Sequence, residues 1–258
     1  MTNRPAPALG AALRLAALAA LAACSPRASQ EGAAQGSRPD TSAAASATAA
    51  KPSTADTAGG WRTLFDGTST DAWRGYRAAT LPAGWRAEGG ELRRVGGGGD
   101  IVTKDEFGDF ELELEWKVAP GSNSGVLYRV TEAGDSSTTY MSGPEMQVLD
   151  DARHVDGRNP LMSAGALYGL YPAKRGVVRP AGQWNQARIV ARGNHVEHWL
   201  NGTKMVDAEL WSDDWNRRLA KSKFTAWPQY AKSPRGRIAL QDHGDPVAYR
   251  NIRIREIR

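Results

Sequence analysis

From Asp109 to Val118 the chain alternates without a break: Phe110, Leu112, Leu114, Trp116 and Val118 are apolar, and the residues between them, Asp109, Glu111, Glu113, Glu115 and Lys117, are charged. A repeat of two matches the pleat of a β-strand, which sends all five apolar side chains to one face. A strand with one dry and one wet face belongs to an antiparallel sheet, because parallel sheets are covered on both faces. The acidic row offers metal donors, but it reads first as a solvated outer face.

Short runs of similar character recur at Glu91 to Val95, Asp100 to Thr103, Ser124 to Val130, Glu145 to Leu149, Asn185 to Ala191, His195 to Leu200, Arg237 to Gln241 and Ala248 to Ile257. Turn signals separate them, among them Gly193-Asn194 and the hairpin pair Asn201-Gly202. Many short strands with few helices predict an all-β sandwich or jelly roll. One short helix is expected, with Ser212 as N-cap, Asp213 and Asp214 in its first turn, and Trp215 and Leu219 four apart. Of the nine tryptophans, Trp116, Trp184 and Trp199 fit the core.

Three motifs carry less than they suggest. The run Gly96 to Gly99 lacks the Lys-Ser/Thr of a phosphate loop and reads as a turn between strands. Asn201-Gly202-Thr203 matches a glycosylation acceptor but reads better as the hairpin turn. In His195-Val-Glu-His198 a strand places His195 and Glu197 on one face and His198 on the other, which spoils a common chelate.

The front of the chain differs in composition. Residues 1–24 carry Arg4 and Arg14, an apolar run from Leu15 to Ala23, and the only cysteine, Cys24. This has the layout of a secretory signal and is too short to span a membrane as a mature helix. Leu21-Ala22-Ala23-Cys24 looks like a bacterial lipobox, in which Cys24 is acylated and becomes the new N-terminus. Ser25 in the next position resembles the signal for the outer membrane, so a lipoprotein of the bacterial cell envelope is expected, facing the periplasm or the cell surface. Residues 25–60 are rich in Ala, Ser, Thr and Pro without an aromatic side chain, and read as a flexible tether. The lipid anchor would then be the only membrane contact. Residues 61–258 remain for one domain, about 200 residues and enough for one substantial core. A net charge of +5, with basic residues scattered among acids, argues against a nucleic-acid partner.

The candidate chemistry lies between Arg129 and His154 and near the C-terminus. Glu145 and Gln147, two apart on a strand, project from one face while Met146 and Val148 pack on the other. A carboxylate on a concave sheet among apolar neighbours has its pKa raised and suits acid-base work near neutral pH; the alternative is an ordinary surface glutamate. His154 follows Asp150-Asp151 in a loop, and His243 follows the strand carrying Leu240. Arg129 and Lys223 can meet a developing oxyanion, or can be a surface ion pair and a helix-end residue. Trp227-Pro228-Gln229-Tyr230 reads as a loop whose rings could stack on sugar faces or pack over the sheet edge.

Several words of this sequence, in this order, resemble the 3-keto-disaccharide hydrolase domain family: Trp61-Arg-Thr-Leu-Phe-Asp-Gly, Asn123-Ser-Gly-Val-Leu-Tyr-Arg, Gly143-Pro-Glu-Met-Gln-Val-Leu-Asp, Gly165-Ala-Leu-Tyr168, Ser222-Lys-Phe, Leu240-Gln-Asp-His-Gly and Tyr249-Arg-Asn-Ile. The resemblance spans Trp61 to Arg258 and implies a concanavalin A-like sandwich. It also implies a carbohydrate substrate already oxidised at carbon 3, with a sugar 3-oxidoreductase as functional partner. The ketone acidifies the hydrogen on carbon 2, so a base can form an enolate that expels the aglycone from carbon 1, with or without rehydration of the product. The residues this reading favours are Glu145 or His154 as base, and Arg129, Lys223 or a divalent cation at the oxyanion. His243 or Asp150 would be the acid. Gln147, Tyr168, Trp227 and Gln241 complete a binding surface. No cofactor is assigned. Glu145, Asp150 and His154 have donor atoms for a cation, but their spacing is not a metal motif. Two other readings stay open: a conventional glycosidase or glucanase, for which Glu145-Met-Gln-Val-Leu-Asp150 supplies only one acid on its strand face, and a non-catalytic surface carbohydrate-binding module.

Overall fold

The structure is a computed structural model and describes residues 60–257; the signal segment, Cys24 and all of the tether but Gly60 lie outside the described residues. In chain order the strands are β1 (Arg62–Phe65), β2 (Trp73–Gly75), β3 (Trp85–Glu88), β4 (Glu91–Arg94), β5 (Ile101–Thr103), β6 (Phe110–Val118), β7 (Asn123–Val130), β8 (Glu145–Leu149), β9 (Asn185–Arg192), β10 (His195–Leu200), β11 (Thr203–Glu209), β12 (Arg237–Leu240) and β13 (Val247–Glu256). They pair antiparallel in two sheets. Sheet A runs β11-β10-β9-β6-β13-β4-β3, with β1 paired to the second half of β13; sheet B runs β2-β5-β12-β7-β8. This is the all-β, concanavalin A-like sandwich, with one short α-helix among the described residues, α1 (Asp213–Leu219), capped by Ser212 Oγ accepting from Trp215 N at 3.2 Å.

The core lies between the sheets. Leu112, Leu114 and Trp116 of β6 face Val126 and Tyr128 of β7 and Met146 and Val148 of β8 in one cluster. Each fully buried large apolar side chain of this kind stabilises the fold by about 1.5–3 kcal/mol. No helix among the described residues is long and apolar enough to cross a membrane.

The outer face of sheet A is built differently from a plain wet face. Glu113 pairs with Arg253 at 2.7 Å and Glu115 with Arg250 at 2.7 Å, while Glu111 takes both Arg255 and, at 3.0 Å, Arg188. Tryptophans fill the gaps. Trp184 and Trp199, expected in the core, are half-buried on this face. Trp184 lies beneath Lys117 and Arg250, at 4.5 and 4.1 Å, and Trp199 beside Arg188 and Lys204, at 4.6 and 5.3 Å. Only Trp116 of the three is a core residue, because Trp184 and Trp199 occupy positions that alternate outward. At the domain's entry Trp61 is held by Arg253 and Arg255, 4.5 and 4.8 Å from its ring.

Candidate active site

The site is assembled on the outer face of sheet B, away from the ion-paired face of sheet A. On β8, Met146 and Val148 enter the core and Glu145 turns outward. Its carboxylate leans across β7 over Gly125: a Cβ placed there would stand 2.8 Å from Glu145 Cδ and closer still to Oε1. Glu145 is only 8 % exposed. Burial is the main reason its pKa is pushed up to about 8; the Lys223 ammonium pulls it down, and Asp100 and Asp156 push it further up. None of the described residues gives this carboxylate a hydrogen bond that would hold the charged form.

The chain after Ser163 runs along the free edge of β8. Tyr168 N donates to Glu145 O at 3.0 Å, which sets the Tyr168 ring beside the carboxylate. Burial, together with the negative groups Asp156 and Glu145, pushes the Tyr168 phenol up to about 12. Lys223 opens a 3-10 turn, Lys223–Ala226, capped by Ser222 Oγ accepting from Phe224 N at 3.2 Å. Its ammonium sits 4.6 Å from the Tyr168 ring centroid, 5.7 Å from Phe224 and 5.9 Å from Trp227, with no carboxylate in ion-pair range among the described residues. Trp227 packs against Tyr140 at 5.1 Å. Lys223 and these rings form one wall of the site.

The other wall carries the histidines. The rings of His154 and His243 meet edge to face with centroids 6.4 Å apart. His154 Nδ1 accepts from Asp156 N at 3.2 Å, which leaves Nε2 as the atom that can move a proton outward. His243 Nε2 lies 3.5 Å from Asn123 Nδ2, and Gln241 N donates to Gly125 O at 3.0 Å. The loop bearing His243 is pinned by Asp100, whose Oδ1 accepts from Asp242 N at 2.8 Å and whose Oδ2 accepts from the Thr139 hydroxyl.

The structure thus brings Glu145, Tyr168, Lys223, Trp227, His154, His243 and Gln241 to one face. Three expected residues are used elsewhere. Gln147 spends its amide on the chain, donating to Met162 O at 3.1 Å and accepting from Val148 N at 3.3 Å. Asp150 accepts from Gly121 N at 2.7 Å and Ala152 N at 3.2 Å, so it closes the turn that presents His154. Arg129 corrects the period-two expectation. Its φ of 53° marks a bulge where the β12 register shifts, and the guanidinium swings to the far side of the sheet, donating to Gly193 O at 2.8 Å. The outer face continues with Leu127 and Val130 instead. Residues missed in the sequence are Asn123, Asp100, Tyr140 and Gly125. Asn123 and Gly125 did sit in a recognisable word, at the spacing of one strand face.

The donor atoms of Glu145, Asp150 and His154 are not gathered as one ligand set; the cluster with such spacing among the described residues is His195, Glu197 and Asp207, within 4.8 Å of one another. Asp207, from the neighbouring strand, completes a group that the sequence reading dismissed. Lys204 already bonds Glu197 at 2.6 Å and Asp207 at 2.7 Å, so both carboxylates of the cluster are engaged by an ammonium in a surface network. A concavity of about 780 Å³ opens on sheet A, lined by Trp199, Gln186, Asn251, Glu113 and Arg253. Its Glu113 and Glu115 are paired across strands with Arg253 and Arg250, and its Asp66 accepts from Thr68 and Ser69, whereas Glu145 has no such partner among the described residues.

Taken together, an antiparallel sandwich with one uncharged-leaning carboxyl, a free ammonium, two histidines and an aromatic wall defines a protein built to handle a polar, ring-shaped ligand with acid-base groups. Residues 60–255 match the 3-keto-alpha-glucoside-1,2-lyase-like domain family, and the chain belongs to it. It is 35% identical over 228 residues to the 3-keto-disaccharide hydrolase of Bacteroides thetaiotaomicron, covering 77% of this chain and 79% of that protein. Among solved structures, a crystal structure of a candidate glycosyl hydrolase from Parabacteroides distasonis is 31% identical with a TM-score of 0.71, covering 77% of this chain and 94% of that one. A second from the same organism is 30% identical with a TM-score of 0.54, covering 72% and 99%.

Proposed function

We propose that the protein cleaves glycosides whose sugar carries a ketone at carbon 3, by removing the proton on carbon 2 and expelling the group on carbon 1. The observation that carries this reading is the state of Glu145, buried, without a hydrogen bond and with its pKa raised to about 8. A carbon acid beside a ketone needs a stronger base than an ordinary carboxylate, and base strength rises with pKa. A conventional glycosidase instead keeps one carboxylate ionised beside a second acid. Asp100 is a second carboxyl at this site, but its oxygens already hold Asp242 N and Thr139.

In this mechanism Glu145 takes the carbon 2 proton, and Lys223, lacking a carboxylate partner, meets the negative charge that moves to the ketone oxygen. His243 gives the leaving oxygen its proton, with His154 edge-on beside it. Trp227 and Tyr168 supply flat surfaces for the sugar ring. The same reading has the substrate made by a sugar 3-oxidoreductase and the domain carried on an envelope lipoprotein anchored through Cys24.

The test is aglycone release from p-nitrophenyl 3-keto-α- and β-glucosides and from their unoxidised counterparts, with and without EDTA. Turnover confined to the keto substrates, lost in Glu145→Gln, is expected. As base in the free enzyme, Glu145 makes kcat/KM rise with pH and level off above about 8. Cleavage of unoxidised glucosides would replace the reading with a conventional glycosidase, and sugar binding without turnover with a lectin-like module.

A further inference from the structure

His243 is exposed, and its own contacts do little to hold it. Its ring has one polar neighbour among the described residues, Asn123 Nδ2 at 3.5 Å, and meets His154 edge to face at 6.4 Å. A hydrogen bond that long does not fix a ring. The turn on either side of it is held instead, and one side chain from the other sheet reaches both ends of that turn. Arg94, the last residue of β4 in sheet A, donates from Nε to Asp242 Oδ1 at 2.5 Å and from Nη1 to Gly244 O at 2.6 Å. The residues immediately before and after His243 are bonded to one guanidinium.

This clamp is shielded from solvent. The Arg94 side chain is 13 % exposed and that of Asp242 6 %, so the pair is screened far less than a surface ion pair. The same carboxylate accepts from Gly244 N at 3.0 Å and, through its second oxygen, from Gly99 N at 3.1 Å. The rigid fork of the guanidinium spans two acceptors at once, which the point charge of a lysine does not reproduce. Nothing in the mechanism above uses Arg94.

We infer that Arg94 is a positioning residue for proton delivery to the leaving oxygen: by gripping Asp242 and Gly244 it keeps the His243 imidazole where the group on carbon 1 departs. The inference rests on the 3-keto-glycoside reading, in which His243 is the acid. As the bond from carbon 1 to oxygen breaks, its electron pair goes to the oxygen and the proton of the His243 imidazolium follows. The imidazole is left neutral and regains a proton from solvent. An alkoxide needs that proton in order to leave, whereas a nitrophenolate is stable without it. Removal of the carbon 2 proton by Glu145 does not pass through the clamp.

The experiment compares methyl and p-nitrophenyl 3-keto-glucosides as substrates for the wild type, Arg94→Met, Arg94→Lys and Asp242→Asn, with His243→Ala as reference and thermal melting as the check on folding. For Arg94→Met, kcat/KM is expected to fall about 100-fold on the methyl glucoside and only about threefold on the nitrophenyl one, the pattern of a misplaced general acid. Arg94→Lys and Asp242→Asn should show the same inequality to a smaller degree, and they decide the matter if Arg94→Met does not fold. The double variant of Arg94→Met with His243→Ala should be no slower on the methyl glucoside than His243→Ala alone, because residues acting as a unit are not additive. Equal losses on the two substrates, no loss on either, or full additivity in the double variant would overturn the assignment and leave Arg94 as a stabiliser of the turn. Failure of the wild type on both keto-glucosides would instead remove the 3-keto reading, and the role of Arg94 with it.

Discussion

At Gly125 the missing side chain is what lets Glu145 reach its place. The backbone there does not need glycine, since its φ is not in the left-handed region, but a methyl group would overlap the carboxylate head. Gly125→Ala is therefore expected to fold with a melting temperature close to wild type, because only the end of a side chain must move. Its kcat/KM on keto-glucosides should fall about 100-fold, the scale of an ångström's misplacement of a reacting group. Lys223 acts on the same carboxyl through space. Lys223→Met removes the one group that lowers its pKa, so the rising limb of kcat/KM should move above pH 8. A limb that stays in place would take Lys223 out of the site.

Among the elements, β7 shows how a single backbone angle redirects a side chain. By alternation Asn123, Gly125 and Leu127 put Arg129 on the site face, but the bulge sends it to Gly193 with two of its nitrogens unpartnered. Burial lowers its pKa, so it contributes cost rather than catalysis. Arg129→Met should leave kcat on keto-glucosides within about twofold and leave stability equal or higher, measured by chemical denaturation. The alternation of β6 and the outward turn of Glu145 were legible because period two is a direct image of the pleat. The bulge was not, because nothing in Tyr-Arg-Val announces a positive φ. Strands β1 to β3 were missed because they are short and hold no Val or Ile, unlike the equally short β5 and β12, and β11 because its polar positions disguise it. Asp100 and Asn123 escaped because their roles come from partners more than 100 residues away in sequence, Asp242 and His243.

For the whole molecule, two buried groups set opposite dependences of stability on pH. Glu145 keeps its proton in the fold up to about 8, whereas an unfolded chain loses it near 4.5; its contribution is complete below 4.5 and is lost as pH rises toward 8. Burial drives His198 the other way, to about 4, so its contribution is present above 6.5 and is lost as pH falls toward 4. The two oppose each other between 4.5 and 6.5, and above 6.5 only the Glu145 loss remains. Unfolding free energy is expected to drop by about 2 kcal/mol between pH 6.5 and 8. Glu145→Gln should remove that drop and be the more stable protein at pH 8, as calorimetry at the two pH values would show. The ring of Trp61, gripped by Arg253 and Arg255, has a mechanical meaning as well. A force applied at Trp61 enters the sandwich through the lattice of paired charges on sheet A, on the side opposite Glu145.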